Sequence, residues 1–193
     1  WVDKTGAKAF DFAAFYNMEQ AFDGNNLKLL RDKSALFKLS PQNAVTFVTN
    51  HDTEKETNQS NRIGSAENKL LAYAYILTHP GYPCIFYLDY EVQLPKWKLD
   101  RLIQINRTLA KGDLSVIFAD NEYYLAQRLG EGKIPGLVVA INNSTVSKKQ
   151  EVFTSFKNAT LYDYSETTAK TITTDERGKA TIETPSKSYT VLS

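Results

Sequence analysis

Three polar side chains follow one another at Asn50-His51-Asp52, directly after the apolar, β-branched run Ala44-Val45-Thr46-Phe47-Val48-Thr49. A carboxylate such as Asp52 stabilises positive charge as it develops, and a neighbouring imidazole such as His51 donates hydrogen bonds to hydroxyl groups. Glycoside cleavage needs both, because its transition state is oxocarbenium-like. Two further acids, Asp11 and Asp89, stand in or just after apolar segments. Taken alone, an Asn-His-Asp at a strand end is often only a hydrogen-bonded turn. Its context decides between the two readings.

The elements that must position these residues alternate along the first part of the chain. Ala7–Phe12 reads as a short strand. Phe15, Met18, Glu19 and Phe22 fall at helical spacing until Asp23-Gly24-Asn25-Asn26 breaks the pattern, and Leu27–Leu39 reads as a second helical stretch. Ala44–Thr49 lacks alternation, as a strand covered on both faces does. Residues 53–65 read as a long polar loop. Ala66–His79 is a helix with Leu70, Leu71, Ala74, Tyr75 and Leu77 on its apolar face, stopped by Pro80-Gly81. His79 reads as a C-terminal cap that favours the helix dipole. Pro83–Leu88 is another buried-type strand, ending at Asp89, and Lys96–Lys111 a further amphipathic helix that stops at Gly112. This rhythm predicts a parallel α/β layer, in which functional side chains gather at the C-terminal strand ends.

After Gly112 the texture changes. Leu114–Ala119, Glu122–Leu129, Gly136–Asn142, Gln150–Phe153, Ala159–Asp163, Thr168–Thr173, Lys179–Thr184 and Ser188–Leu192 are short strand candidates separated by Gly, Asn, Asp and Pro turns. They predict an antiparallel β-sandwich. The expected domains are therefore residues 1–112 and 113–193.

Composition narrows the function classes. Of 193 residues, 42% are apolar and 23% charged, which is ordinary globular usage. A net charge of +1 without a Lys/Arg run gives no support to nucleic-acid binding. The single cysteine, Cys84, excludes an intramolecular disulfide and any cysteine-based zinc site, without fixing a compartment. No apolar segment reaches 18 residues, so no membrane association is expected. The first residue is Trp1 rather than Met, so the sequence is expected to be a piece of a longer chain or a processed one. Tyr123, Tyr124, Tyr162, Tyr164 and Tyr189 suit either a stacking surface for sugars or, more simply, strand faces.

At this point a family resemblance enters. Phe47-Val48-Thr49-Asn50-His51-Asp52-Thr53 resembles the fourth conserved region of the α-amylase family, F-V-x-N-H-D. Gly81-Tyr82-Pro83-Cys84-Ile85-Phe86-Tyr87-Leu88-Asp89-Tyr90 resembles the family's later G-x-P-x-I/V-F-Y-G-D motif, and Phe10-Asp11-Phe12 is similar to its sixth-strand segment. The resemblance covers essentially the whole chain. It implies an α/β fold in which strands six to eight of a (β/α)8 TIM barrel precede the family's C-terminal antiparallel β-sandwich. It also implies hydrolysis of internal α-1,4-glucosidic bonds in starch- or glycogen-like glucans with retention. Asp52 would be the third catalytic carboxylate, which neither attacks nor protonates but orients substrate and stabilises the transition state. His51 would bind the same sugar ring, and Asn50 would brace the loop. The family equivalents of Asp89 and Asp11 imply structural roles.

Three departures stand out. Thr49 occupies a position where the family often has Asp or Glu, Leu88 replaces the Gly of F-Y-G-D, and Thr53-Glu54-Lys55-Glu56 lacks the Arg of chloride-activated animal amylases. The resemblance therefore implies a different turn at Leu88 and no chloride dependence. The nucleophile and the general acid/base, about 5 Å apart in a retaining enzyme, match nothing in this sequence. Both would precede Trp1, as would the calcium site expected for a parent enzyme; no metal site is expected in this chain. The missing N-terminal half of the barrel is thus an expected partner beside the α-glucan, since three strands leave sheet edges bare and residues 1–112 alone should be poorly soluble or associate with that half. An extracellular setting is favoured. The competing readings are a related transglycosylase, debranching or branching enzyme, a non-catalytic carbohydrate-binding or scaffold fragment, and an unrelated α/β domain fused to an immunoglobulin-like module.

Overall fold

The computed structural model describes residues 2–55, 62–166 and 171–193. The first part contains α1 (Val2–Thr5), β1 (Ala9–Phe10), α2 (Phe12–Asp23), α3 (Leu36–Leu39), β2 (Ala44–Phe47), α4 (His51–Lys55), α5 (Ala66–Thr78), β3 (Tyr82–Cys84) and α6 (Lys96–Thr108). Strands β1, β2 and β3 pair in parallel and in chain order, with Ala9 opposite Ala44 and Val45 opposite Tyr82. A helical crossover separates each pair, as parallel pairing requires. This is the parallel strand–helix layer expected of consecutive strands in a (β/α)8 barrel.

The boundaries differ from expectation for local reasons. The first strand is only Ala9–Phe10, because Asp11 caps α2 by accepting a 3.0 Å hydrogen bond from the Ala14 amide. Leu27–Leu39 is not one helix. A 3-10 turn over Leu27–Arg31 ends at Asp32, whose Oδ1 accepts from the Ser34 amide at 2.6 Å, and this Asx-type turn precedes α3. The strand expected over Pro83–Leu88 is Tyr82–Cys84, and Asp89–Gln93 winds as a π-turn. Leu88 has right-handed helical backbone (φ −67°, ψ −35°), a conformation that needs no glycine. Of the loop expected over 53–65, the first residues belong to α4, and 56–61 lie outside the described residues.

From residue 114 onward every named element is a strand: β4 (Leu114–Ala119), β5 (Tyr123–Arg128), β6 (Leu137–Asn142), β7 (Lys148–Phe153), β8 (Thr160–Tyr162), β9 (Thr171–Thr173), β10 (Lys179–Thr184) and β11 (Ser188–Leu192). Residues 168–170 of the expected Thr168–Thr173 strand lie outside the described residues. A four-stranded antiparallel sheet runs β11-β6-β5-β4, and the pairs β10-β7 and β8-β9 are also antiparallel. Gly112 leads into it with φ +79°, and a Cβ there would sit 2.0 Å from the Gly130 carbonyl oxygen, so only glycine fits.

The four-stranded sheet is buried on both faces. Tyr124, Ala126, Leu137, Val139, Ile141, Tyr189 and Val191 share one apolar cluster with helices α2, α5 and α6. The alternate residues Tyr123, Leu125, Val138, Ala140 and Leu192 share a second cluster with Val152, Leu161 and Ile182 of the outer strands. The period-two alternation of the strands therefore divides two cores rather than core from water, and one core runs continuously from the barrel helices into this sheet. Helix α5 lies at the centre, with every residue from Asn68 to Thr78 buried.

Candidate active site

Strand β2 is the middle strand of the parallel sheet, and its end is held by aromatic packing. The Phe47 ring stacks on Phe15 with centroids 5.0 Å apart and meets Phe12 and Phe10 edge-on at 5.1 and 5.5 Å. Val48 and Thr49 are buried after it. The chain then emerges at Asn50, whose Oδ1 accepts hydrogen bonds from the amides of Asp52 and Thr53, both at 2.9 Å. In return the Asn50 amide donates to Thr53 Oγ1 at 3.0 Å. This reciprocal cap satisfies orphan amides at the start of α4 and fixes its direction. Asn50 thus braces the loop.

His51 and Asp52 project from that first turn. Their side chains are 76% and 79% exposed, and His51 Nε2 lies 3.3 Å from Asp52 Oδ1. The pair sits beyond the C-terminal end of a parallel strand, the place where α/β folds bind ligands. The arrangement offers a carboxylate for positive charge and an imidazole for hydroxyl groups.

The structure gives the other acids different work. Asp11 is buried; besides capping α2 it accepts the Phe37 amide at 2.8 Å. Asp89 is wholly buried, accepting from Lys69 Nζ at 2.9 Å and from the Tyr73 hydroxyl at 2.7 Å. Both oxygens of each are occupied by the protein. Burial and the Asp89 carboxylate push the Tyr73 phenol far above its ordinary range. Tyr123, Tyr124 and Tyr189 are strand-core residues, whereas Tyr162 and Tyr164 are exposed.

His79 caps α5, but not as a cation. It is buried, and burial first, with Lys38 and Arg128 adding to it, holds its imidazole well below 6.5. Its Nδ1 lies 2.7 Å from the Tyr75 carbonyl, which only accepts, so Nδ1 carries the proton and Nε2 accepts from the Tyr124 hydroxyl at 2.8 Å. Burial, not the helix dipole, sets its charge.

Sequence reading passed over a polar cluster behind α4. Lys69 Nζ donates to Glu54 Oε2 at 3.0 Å and to Gln93 Oε1 at 2.7 Å as well as to Asp89, and Gln93 Nε2 donates to Glu54 Oε1 at 2.5 Å. Burial pushes the Glu54 carboxyl up, but the hydrogen bonds from Gln93 and Lys69 and the charges of Lys69 and Arg62 outweigh it and hold Glu54 below 4.5. The available signal was a lysine inside a helix stretch otherwise rich in apolar residues. Among the described residues no three His, Cys, Asp or Glu side chains come together as a group that could hold a metal ion. No described helix is long and apolar enough to cross a membrane.

Comparison with known proteins shows what the chain is similar to. A family model described as the α-amylase C-terminal region matches residues 137–193. The chain is 40% identical over 90 residues to the α-amylase type B isozyme of Hordeum vulgare, covering 45% of this chain and 58% of that protein. It is 29% identical over 184 residues to the cytoplasmic α-amylase of Escherichia coli, covering 86% of this chain and 35% of that one. The chain belongs to the α-amylase family. It spans less than two thirds of either relative. Among solved structures it superposes on the γ-CGTase of Alkalophilic bacillus clarkii with a TM-score of 0.74 at 16% identity, over 93% of this chain and 31% of that one. It superposes on the α-amylase of Geobacillus thermoleovorans with a TM-score of 0.69 at 17% identity, over 94% and 46%. At these identities the likeness is one of fold.

Proposed function

We propose that this α-amylase-family chain contributes the supporting half of a glucan-cleaving site. Asp52 stabilises the oxocarbenium-like transition state through the sugar at the cleavage point, and His51 hydrogen-bonds to that ring. The observation that carries the reading is the exposed His51–Asp52 pair, fixed by the Asn50 cap at the end of the central parallel strand. Neither residue spends its polar atoms on the core, unlike Asp11 and Asp89.

In this reading the nucleophile and the general acid/base come from the remaining barrel strands, which would pair with the open edges of β1 and β3. Those strands would also carry any calcium site. The substrate class is an α-1,4-glucan cleaved at internal bonds with retention. The names of the relatives support the 1,4-linked glucan alone: they include a glucan 1,4-α-maltotetraohydrolase of Roseateles saccharophilus, 29% identical over 172 residues. An extracellular setting is not favoured by the relatives as a group, since the Escherichia coli protein is named cytoplasmic.

The test uses the protein with its barrel complete and an end-blocked maltooligosaccharide. Release of the α-anomer from internal cleavage, followed by NMR, is expected. Release of the β-anomer, or cleavage only from free ends, would overturn the assignment.

A further inference from the structure

Resting on the reading of Asp52 above, we propose that Glu54 and Lys69 are positioning residues that tether α4 to the buried interior and thereby hold the Asp52 carboxylate in place. Helix α4 spans only His51–Lys55. A single turn of helix is not stable by itself, because nucleation fixes several residues for few hydrogen bonds. Its exposed His51 and Asp52 side chains add no packing to hold it. Something else must fix its orientation.

The amino end is fixed by the Asn50 cap and by Thr53, which is buried. Beyond Thr53 the hold is Glu54. The Glu54 amide bonds back to the Asn50 carbonyl at 3.0 Å, so its position is rigidly linked to the turn that bears Asp52. Its carboxylate is gripped on both oxygens, by Lys69 at 3.0 Å and by Gln93 at 2.5 Å. An ammonium group has three hydrogens to donate. Lys69 places them on Glu54, Asp89 and Gln93, acceptors from α4 and from the π-turn. Asp89 is held in turn by Tyr73 from α5. The cluster therefore runs from the buried helix α5, through one lysine, to the second residue after Asp52.

Its placement also argues for function. A buried charge pair is a poor source of stability, because desolvation offsets most of the attraction. In this cluster the contacts fix the geometry of the candidate catalytic loop. Misplacing a reacting or supporting group by an ångström is enough to slow catalysis about a hundred-fold.

The decisive variant is Glu54→Ala in the protein with its barrel complete. It cuts the tether but leaves Lys69 paired with Asp89, so no buried charge is stranded and the fold is kept. Turnover of soluble starch is expected to fall between about ten- and a hundred-fold with KM little changed. Amide exchange at Asp52 and Thr53 should quicken while exchange in α5 does not. Glu54→Gln, which still accepts from Lys69, should recover most of the turnover. If Glu54→Ala keeps turnover within about two-fold, or if α4 exchange is unchanged, the tether is refuted. Asp52→Asn belongs in the same series. Loss of turnover in Asp52→Asn alone would refute the tether and leave the site reading standing. Normal turnover in Asp52→Asn would overturn the site reading and the tether with it.

Discussion

The imidazole of His79, at the end of α5, accepts a 2.8 Å hydrogen bond from the phenol of Tyr124 in β5. This contact joins the end of helix α5 to an inner strand of the four-stranded sheet. Both groups are buried, and Tyr75 packs against the imidazole with ring centroids 3.9 Å apart.

The protonation of His79 makes stability pH-dependent. In the folded state burial keeps the imidazole neutral until well below 6.5, whereas the unfolded chain takes up the proton near 6.5. Below that value the unfolded state binds more protons, so the contribution of His79 is present above 6.5 and is lost as pH falls through the interval beneath it. Urea midpoints measured between pH 8 and 5 should decline below 6.5 with a component of up to about 1.4 kcal/mol per pH unit. His79→Gln should remove that component. An identical slope in the variant would show that His79 is charged in the fold.

The Asn50 cap should be separable from the chemistry it serves. Asn50→Ala removes the acceptor for two amides and should cost about 1 kcal/mol. Asn50→Asp, which keeps an acceptor, should cost less. Thermal unfolding of both variants checks the order, and equal costs would mean that the side-chain oxygen is not what caps α4.

Lys69→Met strands the buried carboxylate of Asp89. Removing one partner of a buried pair destabilises by roughly 3–5 kcal/mol. The double variant Lys69→Met/Asp89→Leu removes the wholly buried pair, leaves the partly exposed Glu54 bonded to Gln93, and should regain much of that loss. Denaturant titration of the two variants distinguishes a stranded charge from a mere loss of packing, in which case the double variant would be the worse.

How much of this was legible in sequence depends on distance along the chain. The strand–helix rhythm was readable because Pro80-Gly81 and Gly112 punctuate it locally, and the strands Lys179–Thr184 and Ser188–Leu192 match residue for residue. His51 and Asp52 are neighbours in sequence, so their proximity needed no fold. Helix α4 is too short for any periodicity to announce it. The Lys69 cluster was hidden because a lysine in a helix ordinarily faces water, and its partners Glu54, Asp89 and Gln93 are brought to it only by packing. The double burial of β5 and β6 was likewise invisible to an expected two-layer sandwich. The helices that cover one face of the sheet, α2 and α5 among them, lie far upstream in sequence.

The measurement that bears most directly on the account is steady-state turnover of soluble starch by Asp52→Asn, with the barrel complete. The substitution keeps size and one acceptor oxygen, turns the other into an NH2 donor, and removes the charge. Turnover should fall by about 10²–10³-fold, with substrate binding changed far less. Turnover near that of the parent protein would contradict the assignment of Asp52 as the carboxylate that stabilises the transition state.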